Sequence, residues 1–257
     1  MKKFFAGGNW KMRKTVPETI NYIEKFAEKV SNITNIDIAL FPSFVSLYPA
    51  VQTVKKLGAQ IFIGAQNMHP EPQGAFTGEV SGEMILSAGA KMVVIGHSER
   101  RHIFGETDQF INAKLRHAIE LGLTPVFCIG EKLEERKANK TNDVIARQLE
   151  LGLNNVKLTS PEKLIIAYEP VWAIGTGVNA TPEQAEEAQS FIRELIASHW
   201  NNDFAKELRI AYGGSVNPEN APKLIEKPNI DGLFVGTASL DVESFAKIVR
   251  TIAEASR

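Results

Sequence analysis

The sequence of 257 residues lacks several features that mark particular classes of protein. It has one cysteine, Cys128, so no disulfide can form within it, and this predicts a reducing compartment, with the cytoplasm as the default. With 29 Lys and Arg against 30 Asp and Glu, the formal charge of -1 provides no overall field toward nucleic acid or an anionic membrane. We therefore expect neither as a partner, and an anionic substrate would need a local site.

Membrane-spanning runs, linkers and low-complexity tracts are also missing. Residues 1–5 (MKKFF) have the positive start of a signal peptide, but Asn9, Trp10 and Lys11 interrupt the apolar stretch and no cleavage-type tail follows. We interpret this segment as a first strand. A hydrophobic fraction of 44% and a charged fraction of 23% are typical of a globular chain with a sizeable core. Residues 1–257 are expected to form a single domain.

Short apolar segments recur at eight places along the chain. They are continuously apolar rather than alternating, which is typical of parallel strands that are covered on both faces. We predict one strand in each of them, at residues 4–8, 36–41, 61–65, 92–96, 125–129, 164–168, 208–212 and 230–235.

Helical patterns separate the predicted strands. Residues 15–18 have capping-box spacing ahead of an apolar stripe, and residues 181–184 repeat this device with Pro182 at the first helical position. A third apolar stripe comprises Ile111, Leu115, Ala118 and Ile119. The charged run at residues 131–140 is interpreted as a solvated helix face.

Strands that alternate with helices predict right-handed βαβ units and a parallel sheet. Eight such units in a chain of this length favour an α/β fold, a single-domain (β/α)₈ barrel or TIM barrel. A doubly wound open sheet is the alternative. It usually carries a Gly-x-Gly-x-x-Gly sequence after the first strand, whereas residues 7–11 read GGNWK.

Polar residues follow the predicted strands directly. In a parallel barrel these positions meet at the C-terminal rim, where enzymes of this architecture build their active sites. Loop-capping polar groups would explain any one of them, but a lysine, a histidine and a glutamate on one face favour chemistry. The residues are Asn9, Lys11, Gln66, Asn67, His97, Glu99, Glu131, Glu169, Ser215 and Gly236.

Six motifs carry a resemblance to a known family. The most specific is AYEPVWAIGTG at 167–177, and the others are GNWKM at 8–12, GAQN at 64–67, GAFTGE at 74–79, GHSERR at 96–101 and YGGSV at 212–216. In this order, and over essentially the whole chain, they resemble the motifs of the triosephosphate isomerases. The resemblance implies an isomerase that interconverts dihydroxyacetone phosphate and glyceraldehyde 3-phosphate through an enediolate, in glycolysis and gluconeogenesis, without metal or organic cofactor.

The resemblance assigns three catalytic residues, in roles for which this family is itself a standard example. Glu169 is the base: it stands at a strand end before Pro170, which favours an extended backbone, and a base acting on carbon needs reach and a fixed direction. A rim salt bridge is the alternative for this glutamate. His97 is the electrophile that shuttles protons between substrate oxygens, with a structural histidine as the alternative. Lys11 supplies a fixed cation that stabilises the enediolate, unless it is an ordinary solvated lysine.

Further residues follow from the same resemblance. Asn9 is a substrate-binding neighbour of Lys11, and Glu99 is a partner for that lysine. Cys128, on an apolar strand, is interpreted as a small buried hydrophobe rather than a nucleophile. The segment 170–177 resembles a lid that closes over the phosphate and excludes water, with the Gly175 N–H as a donor; a static loop is the alternative.

Glycines after the last two strands predict a phosphate site. Backbone N–H groups and a short helix N-terminus hold phosphate at this place in many barrels, and the substrate-binding residues would be Ser215, Gly236 and Thr237. A pair of tight turns is the alternative. The family usually has glycine in place of Thr237. We expect a negative φ there, because residues 237–240 are predicted to start a short helix.

The long connection at residues 68–79 has an apolar tip, Ala75-Phe76-Thr77. It packs either on its own barrel or against another molecule. The resemblance implies a homodimer through this 68–79 loop, with Thr77 close to the partner subunit's Lys11.

Three other functions remain open on the residues alone. A Schiff-base aldolase needs an inward lysine, but Lys163 lies at the wrong end of the sixth strand. A metal-dependent epimerase needs clustered His and Asp ligands, and only His97 is a candidate. An inactive relative that serves as a binding protein would not need Lys11, His97 and Glu169 together. A coupled isomerase assay would discriminate among these functions.

Overall fold

The computed structural model describes residues 2–174 and 179–256. Within them, eight parallel strands pair in chain order, and the eighth pairs with the first to close a barrel. The predicted (β/α)₈ barrel is confirmed, and the open sheet is excluded. The strands are β1 (Phe4–Asn9), β2 (Ile36–Phe41), β3 (Phe62–Ala65), β4 (Met92–Ile95), β5 (Thr124–Ile129), β6 (Ile165–Tyr168), β7 (Arg209–Tyr212) and β8 (Gly232–Val235).

Helices surround the barrel, and the three predicted ones are present with their caps. The Glu18 carboxylate accepts from the Thr15 N–H at 2.7 Å, and the Gln184 N–H donates to the Thr181 hydroxyl at 3.2 Å. The α-helices are α1 (Val16–Val30), α2 (Phe44–Leu57), α3 (Gly82–Ser87), α4 (Ser98–His102), α5 (Asp108–Glu120), α6 (Leu133–Lys137), α7 (Thr141–Leu153), α8 (Pro182–His199), α9 (Asn202–Glu207), α10 (Ala221–Ile225) and α11 (Val242–Ala255). The 3₁₀ helices are Pro161–Lys163, Val171–Ala173 and Thr237–Leu240.

Among the described residues, two apolar clusters form the core. One fills the barrel interior with side chains such as Phe5, Phe41 and Phe234, and the other lies between the strands and the helices. Gly64 makes room for the inner cluster, because a Cβ at this position would lie 2.4 Å from the Phe41 ring. Cys128 belongs to the inner cluster and is fully buried, as predicted. In the part of the chain that the structure describes, no helix is long and apolar enough to cross a membrane.

The interpretation of residues 131–140 as a solvated face is wrong at its first residue. Helix α6 has no buried residue, but Glu131 is fully buried. It accepts hydrogen bonds from the Tyr168 hydroxyl at 3.0 Å and from Trp172 Nε1 at 2.9 Å. The reason is position: Glu131 follows β5 at the barrel rim and does not share the exposed surface of α6.

Candidate active site

The carboxyl ends of the strands open into a cleft of about 550 Å³, which we call the rim cleft. It brings together the predicted catalytic and substrate-binding residues that the structure describes. These residues are Asn9, Lys11, His97, Glu169, Ser215, Gly236 and Thr237. Gln66, Asn67 and Glu99 line an adjacent cleft, whereas Glu131 lines neither. Gly175 and the predicted hinge Gly177 lie outside the described residues.

Lys11 adopts an unusual backbone conformation at the end of β1, with a φ of 52°. A left-handed non-glycine residue costs about 1–3 kcal/mol and persists only where its surroundings fix it. Asn9 Oδ1 accepts from the Lys11 N–H at 3.1 Å, and Gln66 Nε2 donates to the Lys11 carbonyl at 2.8 Å. The strained turn therefore gives the lysine a fixed direction rather than the freedom of a solvated side chain.

The Lys11 ammonium forms an ion pair with Glu99, with 2.8 Å between Nζ and Oε1. Partial burial raises the pKa of the Glu99 carboxyl. The hydrogen bond and the positive charge of Lys11 act in the opposite direction and outweigh burial, so that the pKa of Glu99 lies below its usual value. Glu99 is therefore an anion that holds the cation at the edge of the rim cleft.

His97 lies at the N-cap of α4 and is almost fully buried. Its Nδ1 accepts from the Glu99 N–H at 3.2 Å, so the neutral imidazole carries its proton on Nε2. Nε2 lies 3.3 Å from Glu169 Oε1. The nitrogen that faces the rim cleft is thus a donor.

Glu169 directly follows β6, and its side chain is 2% exposed. Among the described residues no lysine or arginine pairs with its carboxylate; Oε2 accepts from the Ser98 N–H at 3.1 Å. Two glycines make room for it. A Cβ at Gly130 would lie 1.9 Å from the Glu169 carbonyl oxygen, and a Cβ at Gly213 would lie 2.9 Å from its Cγ. The carboxylate is therefore desolvated, and the described residues do not place it in a rim salt bridge with a lysine or an arginine.

The opposite wall of the rim cleft consists of backbone. Gly213, Gly214 and Ser215 follow β7, while Gly236 and Thr237 follow β8 at the start of the 3₁₀ helix Thr237–Leu240. This is where N–H groups hold phosphate in many barrels. The predicted short helix is confirmed. Thr237 is not among the described non-glycine residues with positive φ, so the expected negative φ is confirmed as well.

Since Thr237 is unstrained, Thr237→Gly is expected to destabilise the protein by about 0.5–1 kcal/mol, because glycine has more conformational entropy in the unfolded chain. Urea unfolding measures this change, and Ala238→Gly in the same helix is the matched control. A glycine variant that gains both stability and affinity for a phosphorylated transition-state analogue would show that Thr237 is strained.

Sequence reasoning did not assign functions to Gln66, Ser98 and Glu131. Gln66 holds the Lys11 carbonyl, and its position directly after β3 was the available signal. Ser98 acts through its backbone N–H, which no side-chain pattern reveals. Glu131 joins β5 to the segment after β6 through the Trp172 hydrogen bond.

The arrangement also bears on the alternative functions. Burial raises the pKa of the Cys128 thiol well above its usual value, and the neighbouring Glu169 raises it further, so that a nucleophilic thiolate is disfavoured. Lys163 ends a 3₁₀ helix that precedes β6, at the end of the barrel away from the rim cleft. Across residues 2–174 and 179–256, no group of three His, Cys, Asp or Glu residues is placed to hold a metal ion.

Comparison with known proteins agrees with this geometry. A family model described as triosephosphate isomerase matches residues 4–252. A triosephosphate isomerase of Carboxydothermus hydrogenoformans is 49% identical over 250 residues, which cover 97% of this chain and 99% of the relative. The triosephosphate isomerase of Aquifex aeolicus is 50% identical over 249 residues, which cover 97% of this chain and 99% of the relative. That of Syntrophotalea carbinolica is 46% identical over 250 residues, which cover 97% of this chain and 98% of the relative. The chain therefore belongs to the triosephosphate isomerase family.

Proposed function

We propose that Glu169, His97 and Lys11 carry out the interconversion of dihydroxyacetone phosphate and glyceraldehyde 3-phosphate that this member of the family catalyses. The observation that supports these roles is the 3.3 Å separation of His97 Nε2 and Glu169 Oε1 in a cleft that Lys11 also lines. Glu169 removes a proton from the carbon beside the carbonyl, and the electron pair moves toward the carbonyl oxygen. His97 donates its Nε2 proton to that oxygen, takes the proton of the adjacent hydroxyl, and Glu169 returns its proton to the neighbouring carbon.

The two walls of the rim cleft balance the two negative charges of the substrate, that of the developing enediolate and that of the phosphate. The Lys11 ammonium, held by Glu99, stabilises the enediolate as its charge develops, and Asn9 lies beside it. Backbone groups at Ser215, Gly236 and Thr237 bind the phosphate dianion, together with the Gly175 N–H that the family resemblance assigns. Neither a metal nor an organic cofactor enters these proton transfers, since the side chains supply every donor and acceptor.

Substrate must displace contacts that exist in the free protein. The Glu169 carboxylate accepts from the Ser98 N–H and lies 3.3 Å from His97 Nε2, so a substrate oxygen that binds at Nε2 has to take its place there. A Cβ at Gly213 would lie 2.9 Å from Glu169 Cγ, so glycine at this position leaves room for the Glu169 side chain.

A coupled assay with glyceraldehyde 3-phosphate on the purified protein tests the reaction. A second readout is the exchange of one carbon-bound hydrogen with deuterium from heavy water, which proton abstraction through an enediolate requires. Isomerisation without exchange would contradict a proton shuttle that is accessible to solvent. If the protein showed neither isomerisation nor exchange, the proposed function would be contradicted.

We infer a homodimer through the 68–79 loop. Residues 71–79 are exposed, and the Phe76 ring, 44% exposed, packs against His69 at a tilt, with a centroid distance of 4.0 Å. A second cleft of about 980 Å³ adjoins Lys11 and is lined by Met12, which is 89% exposed, and by Phe104. Exposed apolar groups beside a cleft favour a protein partner, and the loop tip of a second copy has the matching chemistry.

The dimer is tested by sedimentation at nanomolar concentration. We expect a dimer for the natural chain and a monomer of lower kcat/KM for Thr77→Arg, because the loop tip would carry a buried unpaired charge. Thr159→Arg, at another exposed threonine, is the matched control and should remain a dimer. A fully active monomer would contradict the inference.

The remaining expectations rest on composition. One cysteine and a formal charge of -1 support a cytoplasmic enzyme that binds neither nucleic acid nor a membrane surface.

A further inference from the structure

Two side chains that do not line the rim cleft donate hydrogen bonds to carbonyl groups of the 3₁₀ helix Thr237–Leu240. The Tyr22 hydroxyl, on α1, donates to the Ser239 carbonyl at 2.7 Å. Lys14 Nζ, in the segment between β1 and α1, donates to the Leu240 carbonyl at 2.9 Å. Tyr22 and Ser239 are buried, so the first of these bonds is shielded from water.

These two carbonyls need external donors. The helix has four residues, and the Ser239 N–H and the Ser239 hydroxyl both bond to the Gly236 carbonyl, at 2.9 and 2.7 Å. The last carbonyls of any helix lack partners within it, and a buried carbonyl without a donor is costly. Tyr22 and Lys14 satisfy the Ser239 and Leu240 carbonyls, and in doing so they fix the direction of the helix.

The two donors are themselves held rigidly. The Tyr22 ring packs against Trp10 and Phe26, with centroid distances of 4.7 and 5.6 Å. Lys14 has a φ of 66°, and its Nζ lies 4.6 Å from the centre of the Tyr22 ring. A cation above an aromatic ring and a cluster of packed aromatic rings resist displacement more than a free side chain does.

The supported helix carries the phosphate side of the proposed site. Thr237 and Gly236 line the rim cleft at its N-terminal end, whereas Ser239 and Leu240 lie at its C-terminal end. In so short a rigid element, a change of tilt at one end moves the N–H groups at the other. An error of a few tenths of an ångström weakens charge-assisted hydrogen bonds to a dianion.

We propose that Tyr22 and Lys14 are positioning residues that set the affinity of the rim cleft for the substrate phosphate. This inference rests on the proposed function and deepens it. Neither residue touches the reacting atoms, so proton transfer on a substrate without phosphate is independent of both.

The test compares substrates with and without phosphate. For Tyr22→Phe we expect a three- to tenfold rise in KM for glyceraldehyde 3-phosphate and in the inhibition constant of inorganic phosphate, about the value of one hydrogen bond to a buried acceptor. The kcat/KM for unphosphorylated glyceraldehyde should be unchanged. Lys14→Met should act in the same direction and keeps the proposal testable if Tyr22→Phe folds poorly.

Two matched controls separate positioning from general damage. Tyr48→Phe removes the hydroxyl of an exposed tyrosine, and Lys3→Met removes a lysine that donates to the Thr34 carbonyl at the opposite end of the barrel. Both should leave the phosphate constants unchanged. Equal losses on both substrates, or unchanged phosphate inhibition in Tyr22→Phe and Lys14→Met, would overturn the proposal.

Binding of inorganic phosphate, measured by calorimetry, separates this inference from the proposed function. If the natural chain binds phosphate but has no isomerase activity, the proposed function fails, and the ratio of phosphate dissociation constants between variant and natural chain still decides the role of Tyr22. A ratio of one would refute that role.

Discussion

Glu169→Ala is expected to lower kcat on the order of 10³-fold or more, with little change in the inhibition constant of inorganic phosphate. The carboxylate is nearly inaccessible to water, faces His97 Nε2 and has no lysine or arginine partner in the described part of the chain. The carboxylate of Glu99 is already engaged by Lys11, so it does not replace the base. We therefore expect the variant to lose proton abstraction and to keep the backbone of residues 213–215 and 236–237, which we propose binds the phosphate.

Steady-state kinetics in the coupled assay measure this loss. Glu169→Asp should fall between the natural chain and the alanine variant, because it keeps the carboxylate but shortens its reach by one methylene. Glu183→Ala, at a glutamate whose side chain is 73% exposed, is the control and should have normal kinetics. Near-normal turnover of Glu169→Ala would contradict the hypothesis that Glu169 is the catalytic base.

The barrel could be predicted because its strands are short, apolar and regularly spaced. Parallel strands buried on both faces leave a pattern that depends only on local sequence. The largest difference is at β8, predicted from residue 230 and observed from Gly232. There the Ile230 N–H bonds to the Lys227 carbonyl in a turn, so an apolar residue precedes the strand without joining it.

The placement of the site residues followed from topology, but their conformations did not. That Asn9, His97 and Glu169 share a cleft follows from the common direction of parallel strands. The positive φ of Lys11 depends on Gln66, which is 55 positions away in the chain. Contacts between distant segments are invisible to local patterns, and for this reason the strain was not predicted.

Buried charge was the second feature that patterns missed. Lys114 interrupts the apolar stripe of α5, and a lysine at such a position is usually solvated. In the structure it is fully buried, with Nζ 2.6 Å from Glu106 Oε1 and 2.8 Å from Asn67 Oδ1. Arg100 Nε also lies 2.7 Å from the same oxygen of Glu106.

Glu106→Gln is accordingly expected to lower the free energy of unfolding by about 3–5 kcal/mol at pH 7, the usual cost of leaving a buried charge without its partner. Burial lowers the pKa of Lys114, and the hydrogen bond that Lys114 donates to Glu106 opposes this effect. Without the carboxylate, the ammonium keeps neutral acceptors such as Asn67 Oδ1, but no anion offsets the cost of its burial. Denaturant unfolding measures the loss, and Glu183→Gln, which breaks an exposed pair with Lys227, should cost at most about 1 kcal/mol.

The pH dependence distinguishes unpaired charge from lost packing. In Glu106→Gln the pKa of Lys114 in the folded protein falls further below its usual value of 10.5. At a pH between the pKa of the folded state and that of the unfolded state, the unfolded chain therefore binds more protons. Stability then rises with pH in that window, and the penalty should shrink as the pH is raised toward 10. Glu106→Gln combined with Lys114→Met should recover part of the loss at pH 7, because no unpaired ammonium remains. A penalty that is independent of pH, and equal in the single and double variants, would show that Glu106 acts through shape and not through charge.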